Sequence, residues 1–463
     1  MRVFRHTVSH GARTGMLVDL IMCFAAVLLA ASTVTSQYAT APGFIPQMPL
    51  IVAGAAFFAV VMALMYAFLG LYRPAPLRAW ASAARTMAAL AVGGYVTSLA
   101  LRSIADRGYV EQLLAAAVAY LAVGLVAVRC ALGVMVRASP LSRVLIVGTG
   151  PEALTIAKDL KEPGRTARNV VGLYPTSEVP VPDSSGQYVF SRETSITDLV
   201  AWYDIQEIIV AVHEQRGGGV PMDQLLACRI RGIPVLDLAG FCERTKSEVP
   251  IDSLKSSWLV YGHGFVQGPW RTFVKRLFDI ISSVILLMLL SPVMFMAMIA
   301  IRLDSPGPIF YRQARVGLRG RTFECLKFRS MRTDAENDGV ARWAVKNDPR
   351  VTRIGIFMRK TRIDELPQLL SVLQGEMSLV GPRPERPNFV TQLQEAIPFY
   401  EIRHTVKPGV TGWAQVRYHY GATMEDARRK HQFDLFYVKN NSIVLDIIVL
   451  IETVSVVLFR EGQ

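Results

Sequence analysis

The chain has 463 residues, 51% of them hydrophobic and 19% charged, with a mean hydropathy of +0.31; this excludes an ordinary soluble enzyme and leaves room for a membrane part plus one or two folded domains. The formal charge of +13 is uneven: residues 1–142 carry 10 basic and 3 acidic side chains, 143–270 carry 12 and 15, and 271–463 carry 28 and 19. On a membrane protein, such a basic C-terminal third suits anionic headgroups or phosphorylated substrates better than nucleic acid. Cys23, Cys130, Cys228, Cys242 and Cys325 form no C-x-x-C pair, which argues against a disulfide or zinc scaffold.

Four apolar stretches come first, at 16–35, 50–71, 83–101 and 110–136, each near the ~20 residues that cross ~30 Å of hydrocarbon. Arg2, Arg5 and Arg13 precede the first, the loop 36–49 is uncharged, Arg73 and Arg78 lie between the second and third with Arg85 at the start of the third, and Arg137 and Arg143 follow the fourth. By the positive-inside rule, the N-terminus and everything after the fourth helix are cytoplasmic, with only Arg102 and Arg107 running against this. The basic start and the small-residue run "YATA" also resemble a secretory signal, but the further spans favour an uncleaved anchor.

From Arg143 the pattern changes to short β-branched runs, "RVLIVG", "NVVGLY", "EIIVAV" and "IPVLDL", alternating with helical stretches near 152–161, 194–203 and 222–231. This predicts a small parallel sheet of βαβ units, a Rossmann-like cytoplasmic α/β domain over 143–249. Its first turn, Gly148 to Ala153, fits G-x-G-x-x-A, where helix N-terminal amides could hold a pyrophosphate. The second strand ends "GLYPTSE", with no acid for a ribose, so a tight turn without a nucleotide is the expected reading. Residues 250–270, rich in aromatics and glycine, read as a linker.

The stretch "FDIISSVILLMLLSPVMFMAMIAIRL", 278–303, is long enough to span, yet Lys275 and Arg276 precede it and Arg302, Arg312 and Arg315 follow. A straight span would carry the basic domain behind it to the far side, against the charge rule. A re-entrant helix over 273–303 resolves the conflict, with Ser291 and Pro292 bending or breaking it near its middle; a kinked span is the alternative that backbone physics allows equally, and the charge on both flanks favours the re-entrant form.

Downstream, "SPGPIFYRQARVGLRGRTFECLKFRSMRTDAE" crowds arginines and lysines into a Gly- and Pro-punctuated stretch. In "FECLKFRSM", Lys327 and Arg329 alternate with Leu326 and Phe328, as on a strand with one cationic face suited to phosphate oxygens. Next, "RKTRIDELPQLLSVLQGEMSLVGPRPERP" sets Asp364 and Glu365 before an apolar helical run that ends at Gly375. A bland account makes Asp364 an N-cap and Glu365 a partner of the helix dipole. Among Arg359, Lys360, Arg362 and Arg383, the same pair suits one carboxylate that attacks phosphorus and one that holds a divalent metal. Pro382 and Pro384 hold Arg383 stiffly, as a contact to a nucleotide phosphate or base would need.

Together, "KRLFD", the Ser291–Pro292 site, "SPGPIFYRQ", "RVG", "KFRSM", "DELPQL", "MSLVGPRPE" and "KPGVTGWAQV" resemble the polyisoprenyl-phosphate hexose-1-phosphate transferases, bacterial enzymes that begin exopolysaccharide, capsule or O-antigen assembly. The resemblance is close over 271–463 and looser before it. It implies an integral membrane protein of α plus α/β class: four transmembrane helices (1–142), the Rossmann-like domain, the linker, and a C-terminal monotopic phosphoglycosyl transferase domain (271–463) with a re-entrant helix. It places the chain in the bacterial inner membrane, with that domain on the cytoplasmic face. It further implies a ping-pong reaction in which Asp364 attacks the β-phosphate of a UDP-sugar and expels UMP, Glu365 helps bind Mg²⁺, and Arg359 and Arg383 serve the site. Undecaprenyl phosphate then takes the phosphosugar. UDP-glucose is the expected donor, with UDP-galactose as the alternative, and a homo-oligomer stays open.

Two other classes compete. A membrane-bound nucleotide-sugar dehydratase needs a Tyr-x-x-x-Lys pair, and none of the 15 tyrosines has lysine four residues on. A non-catalytic regulator would release no UMP from any UDP-sugar. Near the end, Ile443–Phe459 is interrupted by Asp446 and Glu452, which points to an interfacial or domain-packed helix rather than a span. "RRKHQFD", 428–434, reads as solvated surface, and His263, His404 and His419 read as structural.

Overall fold

A computed structural model of the chain describes residues 10–38, 48–69, 71, 79–102, 107–138, 142–161, 168–176, 188–212, 219–251, 254, 264–265, 267–333, 335, 348–418, 421 and 423–459. Arg2, Arg5, Arg73, Arg78, His263, His419, most of "YATA" and much of the expected linker lie outside them. The chain divides into two compact units, one ending at Phe241 and the other beginning at Cys242.

In the first unit, helices α1 (His10–Tyr38), α2 (Met48–Phe68), α3 (Ala79–Leu101) and α4 (Arg107–Ala138) contain the apolar stretches Gly15–Ser36, Met48–Phe68, Ser82–Leu101 and Arg107–Val128, each long enough to cross a membrane. α1 packs on α2 and α4, and α3 packs on α2 and α4. Small buried residues, among them Ala26, Ala30, Ala55, Ala59, Ala89 and Ala117, line the contacts, and Phe58, Tyr66 and Leu121 fill the space between. Where lipid is as apolar as the helix surface, close approach through small side chains is what favours association.

The α/β part of this unit follows the expected alternation. β1 (Ser142–Val147), β2 (Arg168–Tyr174), β3 (Glu207–Val210) and β4 (Val235–Asp237) form a parallel sheet in the order β2-β1-β3-β4. The intervening helices are α5 (Pro151–Lys161), α6 (Ile196–Tyr203) and α7 (Met222–Ile230). Gly148, at φ 127°, turns the chain from β1 into α5, and a Cβ there would lie 2.6 Å from the Ala211 carbonyl oxygen, so glycine is required. A Cβ on Gly150 would meet a carboxylate oxygen of Glu152 at 3.1 Å; an acid thus stands at the helix N-terminus that a pyrophosphate would need.

The second unit begins within α8 (Leu238–Thr245), earlier than the sequence suggests. Val249 and Ile251 belong to its core, and Ser247 is tied to it, rather than to the α/β domain or the linker. The Trp413 indole donates to the Ser247 carbonyl (2.9 Å), the Val249 amide donates to the Gln432 carbonyl (3.1 Å), and Val249 and Ile251 are buried with Leu379, Trp413 and Phe436.

Helix α9 (Pro269–Asp304) has 36 residues and continues through Ser291 and Pro292, so these two do not break it. Proline removes one backbone donor, and the Ser291 hydroxyl donates to the Met288 carbonyl at 2.9 Å. Both ends are tied to the same unit. Near the start, the Lys275 ammonium donates to Asp446 (2.8 Å) and Asp279 accepts from the Leu379 amide (3.2 Å), while Arg276 donates to the carbonyls of Val372 and Leu373. Near the finish, Ala297 and Ile301 pack on Phe328 and Met358, and Asp304 accepts from the Ile354 amide at 3.2 Å. Between them Ile285, Met288, Leu289, Phe295 and Met296 are exposed.

β5 (Phe310–Val316) and β6 (Thr322–Phe328) form an antiparallel hairpin. The chain continues through α10 (Arg353–Thr361), α11 (Gln368–Gln374), β7 (Ser378–Val380), α12 (Pro387–Ala396), β8 (Gly409–Thr411, parallel to β7), α13 (Trp413–Arg417), α14 (Met424–Asn440) and α15 (Ile443–Phe459). The expectation for α15 holds: Asp446 is fully buried against Lys275 and the Tyr437 hydroxyl, and Glu452 pairs with Arg417 at 2.9 Å. The expectation for 428–434 does not, because His431, Gln432, Phe433 and Asp434 are all buried.

Candidate active site

The acidic pair is displayed by a sharp chain reversal. Thr352 caps α10, its hydroxyl accepting from the Gly355 amide (3.0 Å), and Arg362 ends it in a left-handed conformation, φ 58°. A non-glycine residue in that region costs about 1 kcal/mol, and here it turns the chain into a 3₁₀ turn, Ile363–Glu365. α11 follows, stopped at Gly375 (φ 92°) as expected. Its N-cap position belongs to Pro367 and not to Asp364, so the bland account of the pair as a helix cap fails. Both carboxylates are buried, Asp364 8% and Glu365 7% exposed.

Glu365 is ringed by cations. Its Oε1 accepts from Arg383 Nη2 (2.6 Å) and Lys327 Nζ (3.1 Å), and its Oε2 accepts from Nη1 of both Arg362 and Arg383 (3.5 Å each). Burial alone would raise its carboxyl, but Arg383, Lys327 and Arg362 more than offset this and hold it well below the usual range. Asp364 moves the other way, to about 6, because burial and then the Glu365 charge raise it while Lys327, Arg359 and Arg383 only partly compensate. Neighbouring carboxyls pushed apart in this way divide the work between a permanent anion and a group that titrates near neutrality.

Arg383 and Pro384 border the pocket that Lys327 also lines, together with Arg315, Cys325 and Gln368, and Pro382 lines a second pocket beside Arg383, with Arg403 and His404. Arg359 donates Nε to the Ser330 hydroxyl (2.9 Å) and acts on Asp364 through its charge. Arg329 does not join. β6 ends at Phe328, so the alternation that placed Lys327 and Arg329 on one face stops one residue too soon. The buried Arg329 guanidinium instead donates to the carbonyls of Ser305 (2.7 Å) and Pro306 (2.8 Å) and to the Ser305 hydroxyl (2.8 Å), clasping the loop after α9. Arg362, named among the cations flanking the pair, contacts Glu365 directly, and Arg315, Gln368 and Gln415 reach the site without having been assigned to it. Arg315 stands in the "RVG" motif and Gln415, whose carbonyl oxygen accepts from Arg383 (3.4 Å), in "KPGVTGWAQV"; the motifs were visible but their destination was not.

Mg²⁺ was expected at Glu365. Among the described residues no three His, Cys, Asp or Glu side chains form a metal-holding group, and both oxygens of Glu365 are engaged by cations. A divalent ion there would meet three positive groups at close range, so these residues as arranged do not make a Mg²⁺ site.

This anion-receiving geometry lies wholly inside residues 270–460, which match the bacterial sugar transferase family. Over 187 residues the chain is 46% identical to the exopolysaccharide production protein PSS of Rhizobium leguminosarum bv. phaseoli, covering 39% of this chain and 93% of that relative. The chain belongs to the bacterial sugar transferases. Two further family relatives carry more specific names. The UDP-N-acetylgalactosamine-undecaprenyl-phosphate N-acetylgalactosaminephosphotransferase of Aeromonas hydrophila is 43% identical over 238 residues, 51% of this chain and 55% of the relative. The UDP-glucose:undecaprenyl-phosphate glucose-1-phosphate transferase of Escherichia coli (strain K12) is 44% identical over 183 residues, 39% of each chain. The matched regions thus span about half the length, or less, of these two curated relatives.

Proposed function

We propose that this sugar transferase moves hexose 1-phosphate from a UDP-hexose to undecaprenyl phosphate, with glucose as the first choice of hexose, opening the assembly of a surface polysaccharide. The observation that carries the reading is the buried Asp364–Glu365 pair, with Glu365 fixed as an anion among Lys327, Arg362 and Arg383 and Asp364 free of any such clasp. In the first half-reaction an Asp364 oxygen attacks the β-phosphorus. An O–P bond forms, the bond from that phosphorus to the bridging oxygen breaks, and UMP leaves with the electron pair. In the second, a phosphate oxygen of undecaprenyl phosphate attacks the same phosphorus, releases the carboxylate and forms a diphosphate. One phosphoanhydride replaces another, so positioning and charge stabilisation carry the rate. In this reading Lys327 and Arg383, beside the acidic pair, neutralise phosphate oxygens, and Arg359, whose charge lowers the Asp364 carboxyl, favours the ionised nucleophile.

The same reading has α9 enter and leave the bilayer from the cytoplasmic face. A straight helix of its 36 residues would be about 54 Å long. Both ends are fastened to one folded unit while the apolar middle is exposed, which favours a dip over a crossing. Ser291 and Pro292 supply a site for the bend.

N-acetylgalactosamine is a second reading for the sugar, favoured by the Aeromonas relative, whose matched stretch of 238 residues is longer than the family region. The test is UMP release from a panel of UDP-glucose, UDP-galactose and UDP-N-acetylhexosamines, using membranes containing the protein and undecaprenyl phosphate. Release from one or more sugars supports the reading and names the hexose. None from any of them, with the protein folded, would leave a non-catalytic regulator.

A further inference from the structure

Away from the acidic pair, the second unit buries a charge pair that the proposed reaction does not use. Arg403, in the 3₁₀ segment Tyr400–Thr405, is 6% exposed, and Asp434, on α14, is 2% exposed. Arg403 Nη2 donates both to Asp434 Oδ2 (2.9 Å) and to the carbonyl oxygen of Arg383 (2.8 Å). Its Nη1 donates to the Tyr400 hydroxyl, and its guanidinium lies 4.9 Å from the Tyr400 ring centroid. Taking two charges out of water is costly, and a well-packed apolar pair is often at least as stable. Stability is therefore a poor account of this arrangement, and direction is a better one.

The segment that Arg403 touches has an unusual need for an outside grip. Pro382 and Pro384 have no N–H, so the backbone on either side of Arg383 cannot be pinned by its own donors. The Pro382 carbonyl accepts from the Gly409 amide at 3.0 Å, while the next two carbonyls are held by guanidinium groups: Arg403 on the Arg383 oxygen, and Arg315 on the Pro384 oxygen at 3.0 Å. Fixing the carbonyl fixes the peptide plane, and with it the direction in which the Arg383 side chain leaves toward Glu365. We infer that Arg403, oriented by Asp434, is a positioning residue for Arg383, setting the aim of the guanidinium that would meet the nucleotide phosphates. The inference rests on the proposed activity for the role of Arg383, but its geometry does not.

The experiment is a double-mutant cycle in the full-length protein, with UMP release as the rate and hydrogen exchange as a second readout. Asp434→Asn keeps the shape but frees the Arg403 fork, and should lower kcat/KM roughly 10- to 100-fold, the scale of an ångström-level misplacement. With Arg383→Ala already present, the same change should cost less than about threefold, since there is no guanidinium left to aim. Equal losses in both backgrounds would mean that Asp434 supports the fold alone, and would overturn the inference. Arg403→Lys, which keeps the charge and loses the fork, should repeat the pattern and serves if Asp434→Asn does not fold. If the unaltered protein releases no UMP, the activity reading fails and hydrogen exchange decides this one. Exchange at 381–386 accelerated at least tenfold in Asp434→Asn, with α11 unchanged, supports the grip. No acceleration, or acceleration spread over the whole unit, rejects it.

Discussion

Replacing Glu365 by Gln should move the acid limb of the reaction toward lower pH. Asp364 must be ionised to attack phosphorus, and its carboxyl is raised to about 6 by burial first and by the Glu365 charge second. In the unaltered protein kcat/KM should therefore rise with pH through about 6 and fall roughly tenfold per unit below it. Two unit charges about 6 Å apart at an effective dielectric constant of about 20 interact by about 2.8 kcal/mol, or about two pKa units. Solvent reaching the pocket screens this, so the shift to expect is about one unit. Lys327, Arg362 and Arg383, released from Glu365, act in the same direction. The absolute rate of the variant is secondary, because its rate relative to the unaltered protein is what reports the shift. That ratio, from UMP release between pH 5 and 8 or from single turnovers if the variant is slow, should grow about fivefold on acidification from 7 to 5. A ratio that is flat, or that shrinks as the medium is acidified, refutes the assignment of Asp364 as the titrating nucleophile beside a permanently charged neighbour.

Other consequences are as specific. Divalent cation titrated into the protein without nucleotide should give no saturable binding at the acidic pair, by calorimetry or by Mn²⁺ paramagnetic resonance; a stoichiometric site abolished by Glu365→Gln would contradict the charge argument. Arg329→Lys removes most of the clasp on Ser305 and Pro306 and should destabilise the protein by about 2–4 kcal/mol, lowering its thermal midpoint with KM for the UDP-sugar changed less than twofold. A raised KM with unaltered melting would return Arg329 to the substrate site. Gly375→Ala places a side chain at φ 92° with no close clash, so its cost is that of the backbone. That is about 1–2 kcal/mol, read as a lower thermal midpoint.

What the sequence disclosed, and what it hid, follows from how far apart the interacting residues lie. The parallel sheet was legible because β-branched runs such as "VLIV" and "IIV" are buried on both faces and therefore read as continuous apolar strings. The end of α11 was legible because Gly375 occupies a conformation that favours glycine. Arg329 was misread because period-2 alternation says nothing about where a strand stops. The stretch Arg428–Asp434 looked solvated because its composition is polar, yet Asp434 is buried and paired with Arg403, from an element no local pattern connects to it. The early start of the second unit was hidden for the same reason: "ERTKSEVPI" looks like surface until Trp413 and Gln432 are folded against it. Asp364 and Glu365 could be nominated from their cationic surroundings in sequence, but the pairing of Glu365 with Arg383 exists only in three dimensions.

The covalent intermediate is the point on which the account turns. Intact-protein mass spectrometry after a rapid quench with the reactive UDP-sugar, undecaprenyl phosphate withheld, should show a gain of one hexose phosphate, mapped by fragmentation to Asp364 and missing from Asp364→Asn. Turnover in Asp364→Asn at the unaltered rate, or an adduct on any other side chain, would contradict it.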